Sequence, residues 1–171
     1  MKAKTEKEKS EREKEIRGFL EKIVINTGIG RLSQQSNFEQ KILPQVASDL
    51  AAITGQKPQI RKAKKSISGF KLREGQIVGL RVTLRRQKLV DFFERLVTIV
   101  LPRVRDFRGL DLVSIDAGGA LNIGIREHIV FPEINPEDSA IVFLLGINLV
   151  PRKKNRQEAL AQYRRLGMPL K

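Results

Sequence analysis

Between Lys57 and Lys88 the chain carries eleven lysines and arginines against one acid, Glu74. No neighbouring segment neutralises this run, and repulsion among its charges opposes compaction unless a polyanion supplies counter-charge. Whatever fold forms must hold the stretch at its surface, and a polyanionic partner explains it better than a solvated face does. The rest of the chain is polarised around it. Residues 109–150 hold one base and six acids, while residues 151–171 hold seven bases and only Glu158. Residues 1–22 carry eight bases and six acids. Their alternating Lys and Glu, with Glu11 and Glu15 near Lys7 and Lys14, suit an exposed helix held by pairs three or four apart, or one that frays at its start. The net charge of the 171 residues is +14.

Residue types remove several function classes. There is no cysteine, hence no disulfide framework, thiolate zinc site or cysteine nucleophile. A single histidine, His128, rules out a His-rich metal centre or a two-histidine mechanism, and neither metal nor cofactor is expected. Met1 is followed by lysines and glutamates rather than an apolar segment, so no secretory leader is expected. The longest apolar stretch, Ala140 to Val150, is interrupted by Gly146 and Asn148 and is too short to cross a bilayer. These features together predict a soluble, cytoplasmic protein with no membrane partner.

Periodicity supplies the elements. Ile23 to Asn26 is short and β-branched and reads as a strand running into a turn at Gly28 and Gly30. Phe38, Ile42, Leu43, Val46, Leu50 and Ile53 recur at helical spacing, with Ser36 as N-cap ahead of Glu39 and Gly55 as the stop. Pro44 inside that pattern predicts a kink, or a helix that properly begins near it. From Ile77 to Arg86, Val78, Leu80, Val82 and Leu84 alternate with Gly79, Arg81, Thr83 and Arg85. Period two places the aliphatics on one strand face and Arg81, Thr83 and Arg85 on the other. Leu89, Phe92, Phe93, Leu96, Val97 and Val100 follow helical spacing up to Pro102, with both phenylalanines in the core. Residues 121–131 and 140–150 read as further strands, the second central in its sheet. Ala159, Leu160, Tyr163 and Leu166 mark a last helix, closed by Gly167 and Pro169. The expected fold is α+β: a single domain over residues 21–171, with helices packed on one face of a mixed or antiparallel sheet, a basic loop at 61–79, and a charged helical arm at 1–20.

Catalytic motifs are weak throughout. Gly28-Ile29-Gly30 follows a strand, but Ser33 stands where a dinucleotide fingerprint would continue, and a turn explains the glycines better. Ser68 to Lys71 matches SxxK without its companion elements. The acids Asp111, Asp116, Glu127, Glu133, Glu137 and Asp138 are scattered, and His128, in an apolar segment, reads as structural. No enzyme is expected. Nucleic-acid chemistry, in contrast, is dense. Lys62, Lys64, Lys65, Lys71 and Arg73 are suited to neutralising phosphates, Ser66 and Ser68 to bonding phosphate oxygens or a ribose 2′-hydroxyl, and Gly69 to letting a backbone come close. Phe70 is either a stacking surface for an unpaired base or an anchor dipping into the core. The cationic strand face of Arg81, Thr83 and Arg85 adds donors. A turn carrying Arg103, Arg105 and Arg108 adds more, with Asp106 placed to orient one of them.

The same stretches carry a family resemblance. Lys22-Ile23-Val24-Ile25-Asn26-Thr27-Gly28-Ile29-Gly30, Ile53 to Pro58, Lys62 to Gly75, Leu101 to Gly109 and Ile129 to Ile134 occur in order, and Leu166-Gly167-Met168-Pro169 closes the chain. Over roughly residues 20–171 this resembles the bacterial-type ribosomal protein L5 family, whose members bind 5S rRNA. The resemblance implies a structural constituent of the large subunit that helps attach 5S rRNA in the central protuberance. Its partners would be 5S rRNA, 23S rRNA, neighbouring 5S-associated proteins, P-site tRNA through the loop from Ser66 to Gly79, and the thirteenth small-subunit protein across a subunit bridge. Lys22, Asn26, Phe70 and Glu127 match family positions associated with 5S rRNA. A general basic RNA-binding or RNA-chaperone module outside the ribosome is the alternative. The chain departs from the family in its short Lys/Glu arm and in Asp116 to Asn122, where an arginine-bearing turn is usual. It is also shortened around Glu137 to Ala140, and Pro151 to Arg156 is more basic than usual, which reads as added rRNA contact.

Overall fold

The computed structural model describes residues 2–35, 37–70, 72–139 and 141–171. Its elements in chain order are α1 (Lys2–Phe19), β1 (Leu20–Gly28), α2 (Leu43–Thr54), β2 (Gln59–Lys62), β3 (Ile77–Leu84), α3 (Arg86–Arg95), a short α4 (Leu101–Arg103), β4 (Leu121–Ile125), β5 (Leu145–Pro151) and α5 (Arg156–Arg165). The strands form one sheet in the order β2-β3-β1-β5-β4, so the α+β expectation holds. Alternation does the sorting that period two predicts. Ile23, Ile25 and Thr27 of β1 are buried while Asn26 and Gly28 are exposed, and β4 and β5 bury every second residue. One face of each of these strands belongs to the core and the other stays open.

The chain divides into two compact units, Met1–Val24 with Thr83–Ile123 and Ile147–Lys171, and Ile25–Val82 with Gly124–Gly146. In the first, α1 is a docked helix rather than a free arm. Ile16 is fully buried, and Arg12 donates to the Leu166 carbonyl at 3.1 Å. Glu15 takes its cation from α5, Arg165 at 2.8 Å, where sequence alone pointed to the arm's own lysines. Phe92 and Phe93 are core residues, as their spacing requires. The expected stop before Pro102 is overturned: a π-turn at Leu96–Val100 leads into α4, with Pro102 in its first turn. Val100 and Leu101 keep helical φ/ψ, so Pro102 lies inside a continuing helix, and the wider π-turn before it accommodates the backbone bond that its missing N–H cannot make. Pro44 sits likewise in the first turn of α2, after a π-turn at Phe38–Ile42. Tyr163 is fully buried, edge-on to Phe19 at 4.9 Å. Its hydroxyl lies within donating reach of the Gly119 and Leu149 carbonyls, at 3.2 and 3.1 Å.

In the second unit Val46, Leu50 and Ile53 give α2 its buried face. Gly55 ends the helix in the left-handed region at φ 62°, donating to the Ala51 carbonyl, the geometry that glycine reaches without strain. The expected N-cap, Ser36, lies outside the described residues. β4 stops at Ile125 instead of running to Phe131, and β5 begins at Leu145 instead of at Ala140, itself outside the described residues. The reason is a buried polar knot. His128 turns inward in a one-turn 3-10 helix, stacks on Phe143 at 3.8 Å and accepts from the Phe143 N–H at 3.4 Å through Nδ1. Its Nε2 faces Ser139 Oγ at 2.9 Å and Asp49 Oδ2 at 3.4 Å. Ser139 donates to Asp49 at 2.9 Å and accepts from Gln45 at 3.2 Å. Side chains here take hydrogen bonds that a continuous strand would have made with backbone. The trio is a serine, a histidine and an aspartate, but Ser139 is buried and gives its proton to Asp49, leaving no open nucleophile. His128 is structural.

Burial lowers the His128 pKa, against a smaller upward pull from Asp49. The folded state therefore prefers the neutral ring, whereas an unfolded histidine titrates near about 6.5. Below that pH the unfolded chain binds the extra proton first, so stability is full above it and falls as pH drops toward the folded value. Denaturant titrations at pH 7.5 and 5.5 should show this loss in the wild type and a smaller one in His128→Gln. Tyr163→Phe leaves two buried carbonyls without their hydroxyl and should cost about 1–3 kcal/mol in the same titration.

Candidate nucleic-acid interface

Most of the cations between Lys57 and Lys88 fall in a hairpin of the second unit, while Arg85, Arg86 and Lys88 follow β3 in the first. β2 and β3 pair antiparallel, Gln59 opposite Arg81, Ile60 opposite Leu80 and Arg61 opposite Gly79. Opposed residues share a face, so Gln59, Arg61 and Arg81 stand on one side of the hairpin. The connection from Ala63 to Gln76 is itself laddered. Ala63 N–H donates to the Gln76 carbonyl at 2.8 Å, and Ile67 and Leu72 exchange backbone bonds at 2.9 and 3.1 Å. Ser66 Oγ accepts from the Glu74 N–H at 2.9 Å, which makes this hydroxyl part of the loop's frame. Gln76 fastens the base: its Nε2 donates to Ser33 Oγ at 2.7 Å and its Oε1 accepts from the Arg73 N–H at 3.1 Å.

Ser68, Gly69 and Phe70 form a 3-10 turn at the tip. Phe70 is 77% exposed, so the core-anchor reading of this ring is wrong and the stacking reading keeps its geometry. Lys62, Lys64, Lys65 and Arg73 are exposed and make no ion pair among the described residues. Lys71 lies outside the described residues. Elsewhere in this unit Asn26 and Glu127 are exposed and Arg81 is half-buried. Glu127 pairs with no cation among the described residues. Gly79 is obligatory, since a Cβ there would come 2.5 Å from the Thr27 carbonyl.

In the first unit Lys22 and Arg85 converge on one carboxylate, Glu21, at 3.4 and 3.3 Å. Both hold its pKa below the usual value, Arg85 most. The strand end is therefore a mixed-charge cluster rather than a purely cationic face. Thr83 is half-buried beside it. Arg103, Arg105 and Arg108 are exposed, in a turn where Asp106 takes φ 55°. Asp106 makes no ion pair among the described residues and does not orient an arginine, because the turn leaves it facing solvent. The basic stretch at 151–156 is also partly redirected. Arg152 donates to the Arg17 carbonyl at 3.1 Å, and Arg156 to the Ile115 and Leu112 carbonyls at 3.3 and 3.0 Å, so these two guanidiniums brace the unit. Asp116 closes the turn that lacks the family's arginine, accepting from the Ala120 N–H at 2.8 Å.

Sequence reasoning missed the open face of β4 and β5. There Asn148 hydrogen-bonds Asn122, and Asn122 donates to the Ser114 carbonyl at 3.4 Å. Period two within Leu145–Pro151 was the available signal: Gly146, Asn148 and Val150 alternate with buried Leu145, Ile147 and Leu149. A long apolar run disguised it. Among the described residues no three potential ligands cluster around a metal position. These groups are equipped to neutralise phosphates, offer amides and hydroxyls, and stack an aromatic ring.

Comparison with known proteins gives this surface a context. Residues 18–73 match Ribosomal protein L5, and residues 77–170 match the C-terminal region of the same ribosomal family. The large ribosomal subunit protein uL5 of Chlorobium luteolum is 49% identical over 152 residues, covering 89% of this chain and 76% of that protein. The uL5 protein of Chlorobaculum tepidum is 48% identical, covering 89% and 81%. That of Fusobacterium nucleatum is 45% identical, with the same coverage. The family consists of ribosomal proteins, not enzymes, and with both of its regions matched in order this chain belongs to the ribosomal protein L5 family.

Proposed function

We propose that this chain is a structural protein of the large ribosomal subunit that binds 5S rRNA and helps attach it in the central protuberance. The observation that carries the reading is the β2–β3 hairpin, with four exposed cations that have no ion pair among the described residues and a bare phenylalanine on a frame of backbone bonds. Such a frame holds its charges apart while it waits for phosphates. Family membership and relatives named as large-subunit proteins support the ribosomal setting. Within it, Lys22, Asn26, Arg81, Thr83, Arg85 and Glu127 serve 5S rRNA, with Lys62, Lys64, Lys65 and Phe70. Arg103, Arg105 and Arg108 hold further rRNA phosphates, 23S rRNA included. Ser68 and Gly69 at the tip, with Lys71 and Arg73 of the same loop sequence and Ser66 framing it, serve P-site tRNA. The acidic stretch 109–150, with Asp111, Glu137 and Asp138 exposed, is the part of the chain suited by charge to the basic thirteenth small-subunit protein across the bridge.

Gel-shift titrations against 5S rRNA and a duplex DNA of equal length test the reading. Selective RNA binding at physiological salt is expected, and equal affinity would point to a general nucleic-acid module instead. Reversing Lys64 and Lys65 to Glu should weaken binding and flatten its salt dependence, by about 0.9 in the log–log slope for each phosphate that is no longer neutralised. Phe70→Ala should cost about 1–3 kcal/mol of RNA affinity if the ring stacks on a base. Because the ring is exposed, the melting temperature of that variant should not move.

A further inference from the structure

Within the second unit, the Asn26 side chain of β1 and Gly146 of β5 are packed against each other. A Cβ built on Gly146 would come 2.9 Å from Asn26 Oδ1, 3.1 Å from its Nδ2 and 3.3 Å from its Cγ. The carboxamide therefore lies over the bare α-carbon of Gly146. The backbone does not ask for glycine here, since Gly146 is not among the positive-φ glycines, and glycine inside a strand weakens it. Nor does the core ask for it, because the group that a Cβ would strike is the movable end of an exposed side chain. The Asn26 side chain in turn makes no hydrogen bond among the described residues. Its amide is placed by packing alone, with donor and acceptor both uncommitted.

We infer that Gly146 is a positioning residue for RNA recognition: its missing side chain seats the Asn26 carboxamide so that Oδ1 and Nδ2 meet one edge of an unpaired base. A carboxamide seated there offers an acceptor and a donor side by side, which suits a base edge with the complementary pair, as adenine has in N6 and N7. Any side chain at position 146 turns the amide off that position and leaves the fold unchanged. This inference rests on the rRNA-binding reading above and adds to it the residue that sets the amide's geometry.

The test uses the full chain as wild type, Gly146→Ala, Asn26→Ala and the double variant, titrated against 5S rRNA at one fixed salt concentration. Gly146→Ala is expected to weaken binding about tenfold, which is about 1.4 kcal/mol, at an equal or higher melting temperature. In the double variant the Gly146→Ala step should add nothing to the loss from Asn26→Ala. In the free protein, the Asn26 side-chain amide resonances should shift in Gly146→Ala, and the wild type should show nuclear Overhauser effects between them and the Gly146 α-protons. Those effects are read without any variant, and their absence overturns the inference whether or not Gly146→Ala folds. Wild-type affinity in Gly146→Ala, or equal losses from that step with and without Asn26, overturns it as well. A wild type with no preference for 5S rRNA over duplex DNA overturns the rRNA reading itself, and the RNA role of Gly146 with it.

Discussion

The strands β1, β3, β4 and β5 each bury one side only, β2 being exposed along its length, and the protein's other features follow from that. Each strand that alternates gives its aliphatic residues to the core, and the same alternation leaves every second position with no core to fill. Those open positions hold Asn26, Arg81, Thr83, Asn122, Gly146 and Asn148, a set rich in amides, hydroxyls, cations and bare backbone. Had the strands been covered on both faces, the open positions would have needed apolar residues, and no polar surface would remain. The sheet thus supplies stability and a polar face from one pattern.

Charge is managed by a different device. The cations of residues 57–88 repel one another, and the fold answers by drawing the chain into a hairpin whose backbone bonds do not depend on the side chains at all. Elsewhere the protein neutralises or redirects some of its bases. Glu21 stands between Lys22 and Arg85, and the guanidiniums of Arg152 and Arg156 turn to carbonyls of their own unit. Lys62, Lys64 and Lys65, without an ion-pair partner among the described residues, thus contrast with arginines that brace the structure. A uniform count of positive residues hides that distinction.

The legible parts of the fold were those governed by local rules. Helical spacing located α2, α3 and α5, the αL stop at Gly55 followed from glycine's freedom, and Phe92 and Phe93 fell in the core because their spacing left no other face. The misreadings have a common cause. Strands drawn through 126–131 and 140–144 looked continuous because His128 and Phe143 sit among apolar residues. They are interrupted because Asp49, far away in sequence on α2, binds Ser139 and faces the imidazole. Asp106 looked like a partner for neighbouring arginines, yet sequence proximity does not point a side chain on a turn at φ 55° toward them.

For the interface the division is equally physical. Residue order alone established that a dense cationic run would face outward, that Arg81 and Thr83 would share a strand face, and that no thiol or histidine-cluster chemistry was available. Charge repulsion, strand parity and residue inventory act along the chain and need no knowledge of its fold. Packing in three dimensions settled that Phe70 stands in the open, that Ser66 frames the loop, that Glu21 tempers Lys22 and Arg85, and that Gly146 lies under the Asn26 amide. Each of those outcomes is a distance or an exposure set between residues that the folded chain brings together. Local pattern carries no information about such distances.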